Sequence, residues 1–452
     1  MDHANTLRRF GLFDAKVPRY TSYPPANRFE PDVGAQNQGN WLRAVPQDKP
    51  VSVYVHVPFC RRLCWFCACR TQGTKTLAPV EAYLDVLFRE IDLVAGALGE
   101  ARPPMARLHL GGGTPTLLSG DMMTRLIDRI DAVFARSPEF EFSVEIDPTE
   151  AAQDVLDALA EKGMTRASVG VQDFDPRVQK AIGREQGFGV TQDVITRLRR
   201  NGVRSLNVDL LYGLPYQTSL GLLATLKQVV TLSPDRLALY GYAHVPHMSK
   251  RQVMIPSVAL PDPERRYKMS AIARDQLVTW GFDALGIDHF ARPGDSLAVA
   301  ARNGRMKRNF QGYTDDPCDT LIGLGASAIS SFPQGYSQNA VPTSAYNQRI
   351  GAGGLAGHKG LVLSGQDRFV RALISSLMCD GAIDPRHMAE TYPSFTGDLR
   401  ARLLDLDRTF PGALERTGGQ LRLRPGLEPL ARLLAARLDT SGTRPGIHSL
   451  AV

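Results

Sequence analysis

The sequence predicts an α/β fold, a partial (β/α)6 barrel with an extended arm before it and a mainly helical, winged-helix-like domain after it. Two observations carry this. Between residues 50 and 245, six short β-rich runs alternate with longer segments whose apolar residues recur every three and four positions, the mark of repeated βαβ units and a mostly parallel sheet. The polar and Gly-rich departures then fall at the ends of the strands, where a parallel barrel places its chemistry: Cys60 after the first, a GGGT run after the second, Glu145 in the third, Gln172 after the fourth and Asp209 in the fifth. Periodicity alone allows a doubly wound sheet equally well; the placement of these residues favours the partial barrel.

In chain order, residues 1–48 form the arm, whose Pro- and Tyr-rich stretch VPRYTSYPPANRF at 17–29 reads as ordered and extended. Residues 49–350 form the main domain. Its strands are expected at 51–57, 106–112, 141–147, 165–171, 204–213 and 236–243, and its helices include 81–99, 121–137 and 151–163. After residue 245 come a helix at 263–280 and one strand-like run, FDALGIDHFA. The Gly-rich GAGGLAGHKG at 351–360 suggests a boundary, and 351–452 read as helices at 368–379 and 397–408, a hairpin at 414–424 and a last helix to about 439.

The chain has 452 residues, 43% hydrophobic and 22% charged, an ordinary globular composition. No run reaches the roughly 18 apolar residues of a membrane span, and MDHANTLRRFGLFD lacks a signal's apolar core, so a cytoplasmic protein without membrane insertion is expected. The net charge of +7 contains no long basic block and calls for no nucleic acid, although it suits an anionic substrate.

Four of the six cysteines, Cys60, Cys64, Cys67 and Cys69, crowd into ten residues, which in a reducing cytosol points to metal or redox chemistry. Cys318 and Cys379 stand alone and read as small buried residues. Cys60-x3-Cys64-x2-Cys67 follows the first strand. Three thiolates can hold three irons of a [4Fe–4S] cluster and leave the fourth open to a cofactor. A structural zinc site is the competing reading, but it would want a second ligand pair.

A CxxxCxxC loop in this place resembles the radical S-adenosylmethionine (SAM) superfamily, and GGGTPT after the second strand looks like that superfamily's methionine-binding motif. The resemblance sharpens to the oxygen-independent coproporphyrinogen III oxidase (dehydrogenase) family. PRYTSYP at 18–24, YVHVPFCRRLCWFCAC at 54–69, LHLGGGTPT at 108–116, VEIDP at 144–148, VGVQDF at 169–174, GREQ at 183–186 and NVDLLYGLP at 207–215 look like its motifs. So do YAHVP at 242–246, DHFARP at 288–293, RNFQGYT at 308–314 and GASAIS at 325–330.

The resemblance implies oxidative decarboxylation of two propionates of coproporphyrinogen III to vinyl groups, giving protoporphyrinogen IX with two SAM consumed. It implies that Cys60, Cys64 and Cys67 bind the cluster. Tyr54, Gly112, Glu145 and Ile329 would contact one SAM. Phe66, Gly113, Thr114, Gln172, Arg184, Asp209 and Ala243 would line a second. Cys69 and Tyr54 would serve in catalysis, Cys69 without being a ligand. A reductase or flavodoxin-like electron donor and a monomeric enzyme are further expectations. His56 shares a strand face with Tyr54 and is expected toward the cluster. Arg19, with Tyr20 and Tyr23, is the candidate for recognising a propionate.

Trp65, Ala68, Arg70 and Gly183 depart from the residues usual in the family, which leaves the geometry of the second SAM site open. Three rival readings remain: a haem-handling relative, whose kind lacks the fourth cysteine and the arm; a DNA-binding wing at 414–424; and a radical SAM enzyme for another acid.

Overall fold

The structure is a computed structural model that describes residues 3–100, 102–439 and 450–451. At its centre are six parallel strands, β1 (Val51–Val57), β2 (Met105–Gly112), β3 (Arg136–Ile146), β4 (Arg166–Gln172), β5 (Ser205–Tyr212) and β6 (Arg236–Gly241). They lie side by side in chain order. A doubly wound sheet would reverse direction at a switch point, and no reversal occurs among these six, so the order is that of a partial barrel. A seventh parallel strand, Leu321–Leu324, pairs with the other side of β1.

Each strand buries Val, Leu, Ile or Phe side chains, against helices that include Ala78–Leu98, Gly120–Asp131, Gln153–Glu161, Phe188–Arg200, Ser219–Thr231 and Pro263–Thr279. The Gly120–Asp131 helix stops earlier than its period suggests. Pro138 cannot continue a helix, and the chain enters β3 from Arg136.

Three expectations change. FDALGIDHFA forms two short strands, Asp283–Leu285 and His289–Ala291, which extend the sheet antiparallel beyond β6, because Gly286 at φ +55° turns the chain back. The sheet also runs past residue 350, since Gly357–Val362 pairs antiparallel with Gly335–Asn339 to give twelve strands in all. The arm is extended only in part, for it contains the helices His3–Arg9 and Ala35–Arg43.

The C-terminal region carries the expected helices, at Gly365–Asp380, Thr396–Thr409 and Ala431–Leu438, and the hairpin Leu414–Thr417 with Gln420–Leu423, joined by a third short strand, Ala382–Ile383. Its core is shared with the arm: Leu7, Leu12, Phe13, Tyr20 and Tyr23 pack among Phe369, Leu373, Leu377 and Leu434.

One buried polar group ties the helix after β1 to the sheet. Glu90 has no exposed surface and accepts from the Gly325 N–H at 2.6 Å, the Asn339 amide at 2.7 Å and the Tyr346 hydroxyl at 2.7 Å. Burial outweighs these donors and pushes its carboxyl up from 4.5 to about 7. The folded protein therefore keeps a proton that the unfolded chain releases, and stability falls as pH rises from about 4.5 to about 7. In urea unfolding, Glu90→Gln should remove on the order of 3 kcal/mol of pH dependence across that window relative to the wild type. Equal pH slopes for the two proteins would refute this.

Candidate active site

The site begins where β1 ends. β1 has parallel neighbours on both sides and is buried throughout except at Tyr54. Beyond it, Phe59–Cys60 pairs in parallel with Gln72–Gly73, which closes the base of the cysteine loop. The loop has little regular structure and is held by its own backbone groups. Trp65 donates its N–H to the Ile182 carbonyl at 2.9 Å. From the opposite side, the Ser249 hydroxyl donates to the Cys67 carbonyl at 3.0 Å, the Gln252 amide to the Phe66 carbonyl at 2.8 Å and Arg251 to the Thr71 carbonyl at 2.5 Å.

The loop opens into a cavity of about 1140 Å³ over the C-terminal ends of the strands. Cys60, Cys64, Cys67 and Cys69 all line it, as do Phe66, Gly112, Gly113, Thr114, Glu145, Gln172, Arg184, Asp209, Ala243 and, at another part of the wall, Arg19. Tyr54 and Ile329 do not line it directly. Among the described residues no three His, Cys, Asp or Glu side chains gather around one ion. Thiols that each hold a different iron of a cubane need not converge on a single point. Three thiols on one cavity wall, with Arg184 Nη1 at 3.6 Å from Cys64 Sγ to offset their charge, fit such a cluster. Cys69 lies directly beside Cys67, its backbone N–H donating to Cys67 Sγ at 3.4 Å.

The N–H groups of the glycine run are already taken up within the fold. The Gly112 N–H donates to Glu145 at 3.1 Å, Gly113 to the Val57 carbonyl at 2.8 Å and Thr114 to the Phe59 carbonyl at 2.8 Å, so all three are used within the fold. What the glycines provide is close approach. A Cβ on Gly112, at φ +111°, would lie 2.5 Å from the His56 ring, and one on Gly113 would lie 2.4 Å from the Phe59 carbonyl oxygen.

His56 does not line the cavity; it is buried behind the wall. Its Nε2 faces the Arg70 carbonyl at 3.3 Å and its Nδ1 faces the Tyr54 hydroxyl at 2.9 Å. A carbonyl only accepts, so Nε2 carries the hydrogen and Nδ1 accepts from Tyr54. Burial pulls the ring's pKa down and keeps it neutral.

Two carboxylates stand on neighbouring parts of the wall. Burial pushes Glu145 up, but donation from His109 at 3.4 Å and from Gly112 outweighs it and holds the carboxylate below its usual range. Asp209 accepts from Ser168 at 2.8 Å and Asn207 at 2.9 Å, and burial leaves it raised. Gln172 lines the cavity from a left-handed backbone conformation, φ +68°, uncommon for a residue with a side chain. Arg184 is paired with Asp147 at 3.0 Å and also donates to the Gly170 carbonyl at 2.9 Å.

Two departures from the family pattern are one steric unit. A Cβ on Gly183 would sit 2.8 Å from the Trp65 ring, so the larger Trp65 requires the smaller residue at 183.

Away from the thiols, three cations separated widely in sequence meet. Arg19 donates to the Gly241 carbonyl at 2.5 Å. Among the described residues Arg432 donates only to the backbone carbonyls of Val17, Pro18, Leu450 and Ala451, and burial together with Arg19 brings its pKa down to about 9. Arg308 packs over the Tyr313 ring and has no partner for its Nε among the described residues. Beside them is Asp288, hydrogen-bonded to His289 at 2.7 Å.

Arg308, Arg432, Asp288 and His289 were not among the expected site residues, although RNFQGYT and DHFARP carried three of them. Tyr20 and Tyr23 turn away from the cavity, both hydroxyls donating to Asp439 at 3.2 Å within the C-terminal core, while Arg19 and Thr21 line the cavity.

Comparison with known proteins agrees with this geometry. Residues 54–229 match the model of the radical SAM superfamily. The chain is 48% identical over 452 residues, all of both chains, to the oxygen-independent coproporphyrinogen III oxidase of Paracoccus denitrificans. It is 41% identical over 369 residues to that of Escherichia coli, covering 81% of this chain and 80% of the other. The solved structure of coproporphyrinogen III oxidase from Escherichia coli, described as a radical SAM enzyme, superposes with a TM-score of 0.88 at 35% identity, covering 95% of this chain and all of the other. With relatives this similar along its whole length, the chain belongs to the oxygen-independent coproporphyrinogen III oxidase family of radical SAM enzymes.

Proposed function

We propose that this enzyme oxidatively decarboxylates two propionates of coproporphyrinogen III, giving the vinyl groups of protoporphyrinogen IX. The observation that carries the proposal is one cavity joining three cluster-type thiols at one wall to Arg19, Arg308 and Arg432 at another, a pairing suited to a radical generator and a polyanionic substrate. Cys60, Cys64 and Cys67 would hold a [4Fe–4S] cluster, which together with SAM would supply a 5′-deoxyadenosyl radical able to take hydrogen from the β-carbon of a propionate. No side-chain base could deprotonate that carbon. The carboxylated radical then loses carbon dioxide and one electron, leaving the vinyl group.

The chain's residues position and shield. Arg19 and Arg308, both on the cavity wall, hold propionates, while Arg432 stays tied to the backbone of residues 17–18 and 450–451. Glu145, ionised, accepts from the ammonium or ribose of one SAM beside Tyr54, Gly112 and Ile329. Asp209 does so for a second, among Phe66, Gly113, Thr114, Gln172 and Ala243, with Arg184 fixed by Asp147 at its edge. Tyr54 acts as a neutral phenol, since burial pushes its pKa up. The reading includes a monomer at work in the cytoplasm, whose reducing conditions suit six free cysteines, and a reductase or flavodoxin-like electron donor. No described helix is long and apolar enough to cross a membrane.

Anaerobic reconstitution should load about four irons per chain, and serine at Cys60, Cys64 or Cys67 should abolish loading. Serine at Cys69 should keep the cluster's absorption and remove activity; iron loss in that variant would make Cys69 a ligand after all.

Equilibrium binding of SAM to the reconstituted enzyme should approach two per chain. Glu145→Ala and Asp209→Ala should each weaken a different site by about 1–3 kcal/mol. A single class of site with unit stoichiometry would remove the second pocket.

With coproporphyrinogen III deuterated at the β-carbons of the reacting propionates and a suitable electron acceptor, deuterium should appear in 5′-deoxyadenosine, and a three-propionate intermediate should precede the product. Deoxyadenosine without deuterium, with all four carboxylates retained, would overturn the reaction.

A further inference from the structure

Outside the cavity, the cysteine loop is backed by a face that the reaction does not use. It is built from residues 176–184, 213–221 and 245–260, which pack together through Val178, Ile182, Leu214 and Ile255 with Trp65 and Phe66 against them. These three segments contain no Asp or Glu, with Asp175 and Glu185 bordering the first, and Arg177, Lys180 and Lys250 stand on their outer side while Arg184 and Arg251 line the cavity. They are also unusually apolar at their surface. Of the eleven large apolar side chains that stand exposed among the described residues, six lie here: Tyr216, Leu220, Met248, Val253, Met254 and Val258, the last 99% exposed. Monomer surfaces rarely gather apolar side chains in this way without a partner.

The face is coupled directly to the cysteine loop. Ser249, Arg251 and Gln252 hold the carbonyls of Cys67, Thr71 and Phe66. A depression of about 360 Å³ in the face is lined by Trp65, Arg177, Lys180, Tyr216 and Met254, while the chain neighbours of Trp65, Cys64 and Phe66, line the cavity. The wall between partner-accessible surface and a cluster thiol is thus one residue step of backbone. Arg177 sits over the Tyr216 ring, its guanidinium carbon 4.1 Å from the centroid, so apolar and cationic elements form a single surface.

We propose that this face is the docking surface for an acidic one-electron carrier protein, with Trp65 at the point of contact. The inference rests on the radical chemistry above, which requires one electron per SAM cleaved. That electron leaves the reduced carrier, which is oxidised, and enters the cluster, which is reduced. An apolar centre with Arg177, Lys180 and Lys250 around it selects an acidic carrier by charge complementarity and lets it leave again after transfer.

An acidic bacterial flavodoxin is the probe. Its binding to the reconstituted enzyme is measured by calorimetry at low and high salt, and oxidation of its hydroquinone by stopped-flow absorbance. Reversal at Arg177→Glu with Lys180→Glu should weaken binding by about tenfold or more at low salt, flatten the salt dependence and slow flavin oxidation. Dithionite, which needs no docking, should still drive full deoxyadenosine formation. Arg416→Glu, an exposed change on the C-terminal hairpin, should alter none of these. Unchanged affinity and flavin oxidation in the double variant, or an equal loss with Arg416→Glu, would overturn the proposal. Should the double variant lose its cluster, Val258→Asp, a change at a fully exposed position, must weaken flavodoxin binding on its own or the proposal fails. If Val258→Asp abolishes a concentration-dependent dimer and leaves flavodoxin binding intact, the face belongs to a second copy and the assignment is wrong. A dithionite-driven enzyme that leaves coproporphyrinogen III untouched while binding flavodoxin normally would sink the reaction and spare the docking face.

Discussion

The active-site end of the sheet depends on one neutral imidazole. His56, at the end of β1, can donate to the Arg70 carbonyl and accept from Tyr54 only as the Nε2–H tautomer, and its burial keeps it there. Through that ring the first strand is tied to the far end of the cysteine loop. Its backbone carbonyl accepts from Tyr83 at 2.8 Å, and Tyr83 in turn accepts the Ala326 N–H at 2.9 Å, so the seventh parallel strand's exit is tied to the same point. The ring occupies the space that a side chain at 112 would need, which makes the glycine run a steric consequence of the imidazole. A protonated ring would reverse the Tyr54 bond and place a charge where burial is most costly.

Around that anchor the sequential order of the strands sorts the chemistry. Each strand contributes at its C-terminal end, so thiols, carboxylates and the left-handed Gln172 are arranged in chain order around one cavity. The arginines come from outside the six-stranded core. The arm delivers Arg19, the segment after β6 delivers Arg308 and the last helix delivers Arg432, whose four carbonyl contacts bind arm and C-terminus together. Because the arm shares its core with the C-terminal helices, the part of the cavity that holds the cations is built only when both ends of the chain are in place. That gives the C-terminal region a part in forming the cavity wall, through packing and carbonyl contacts.

The cysteine loop shows how a segment with almost no internal hydrogen bonding becomes rigid. Its carbonyls are held from the 245–260 segment and its Trp65 N–H from Ile182, while Trp65 fills the space left by Gly183. Trp65 and Gly183 are therefore fitted to each other, since a Cβ at 183 would meet the indole ring at 2.8 Å.

By itself the sequence determined the parallel α/β architecture, the six strand positions to within a few residues, the cysteine triad at the first strand's end and the cavity placement of Glu145, Gln172 and Asp209, to which the family resemblance added Arg184. Those features follow from local periodicity and from motifs that short stretches of chain contain whole. The tertiary structure decided which groups are still available to a ligand. The N–H groups of Gly112, Gly113 and Thr114 are used by Glu145 and by the carbonyls of Val57 and Phe59, and Tyr20 and Tyr23 belong to the core while Arg19 faces the cavity. It also decided the meeting of Arg19, Arg308 and Arg432, whose positions span most of the chain. Hydrogen-bond occupancy and converging charge are long-range properties: they depend on what lies across space from a residue, and nothing in the residues adjacent in sequence records it.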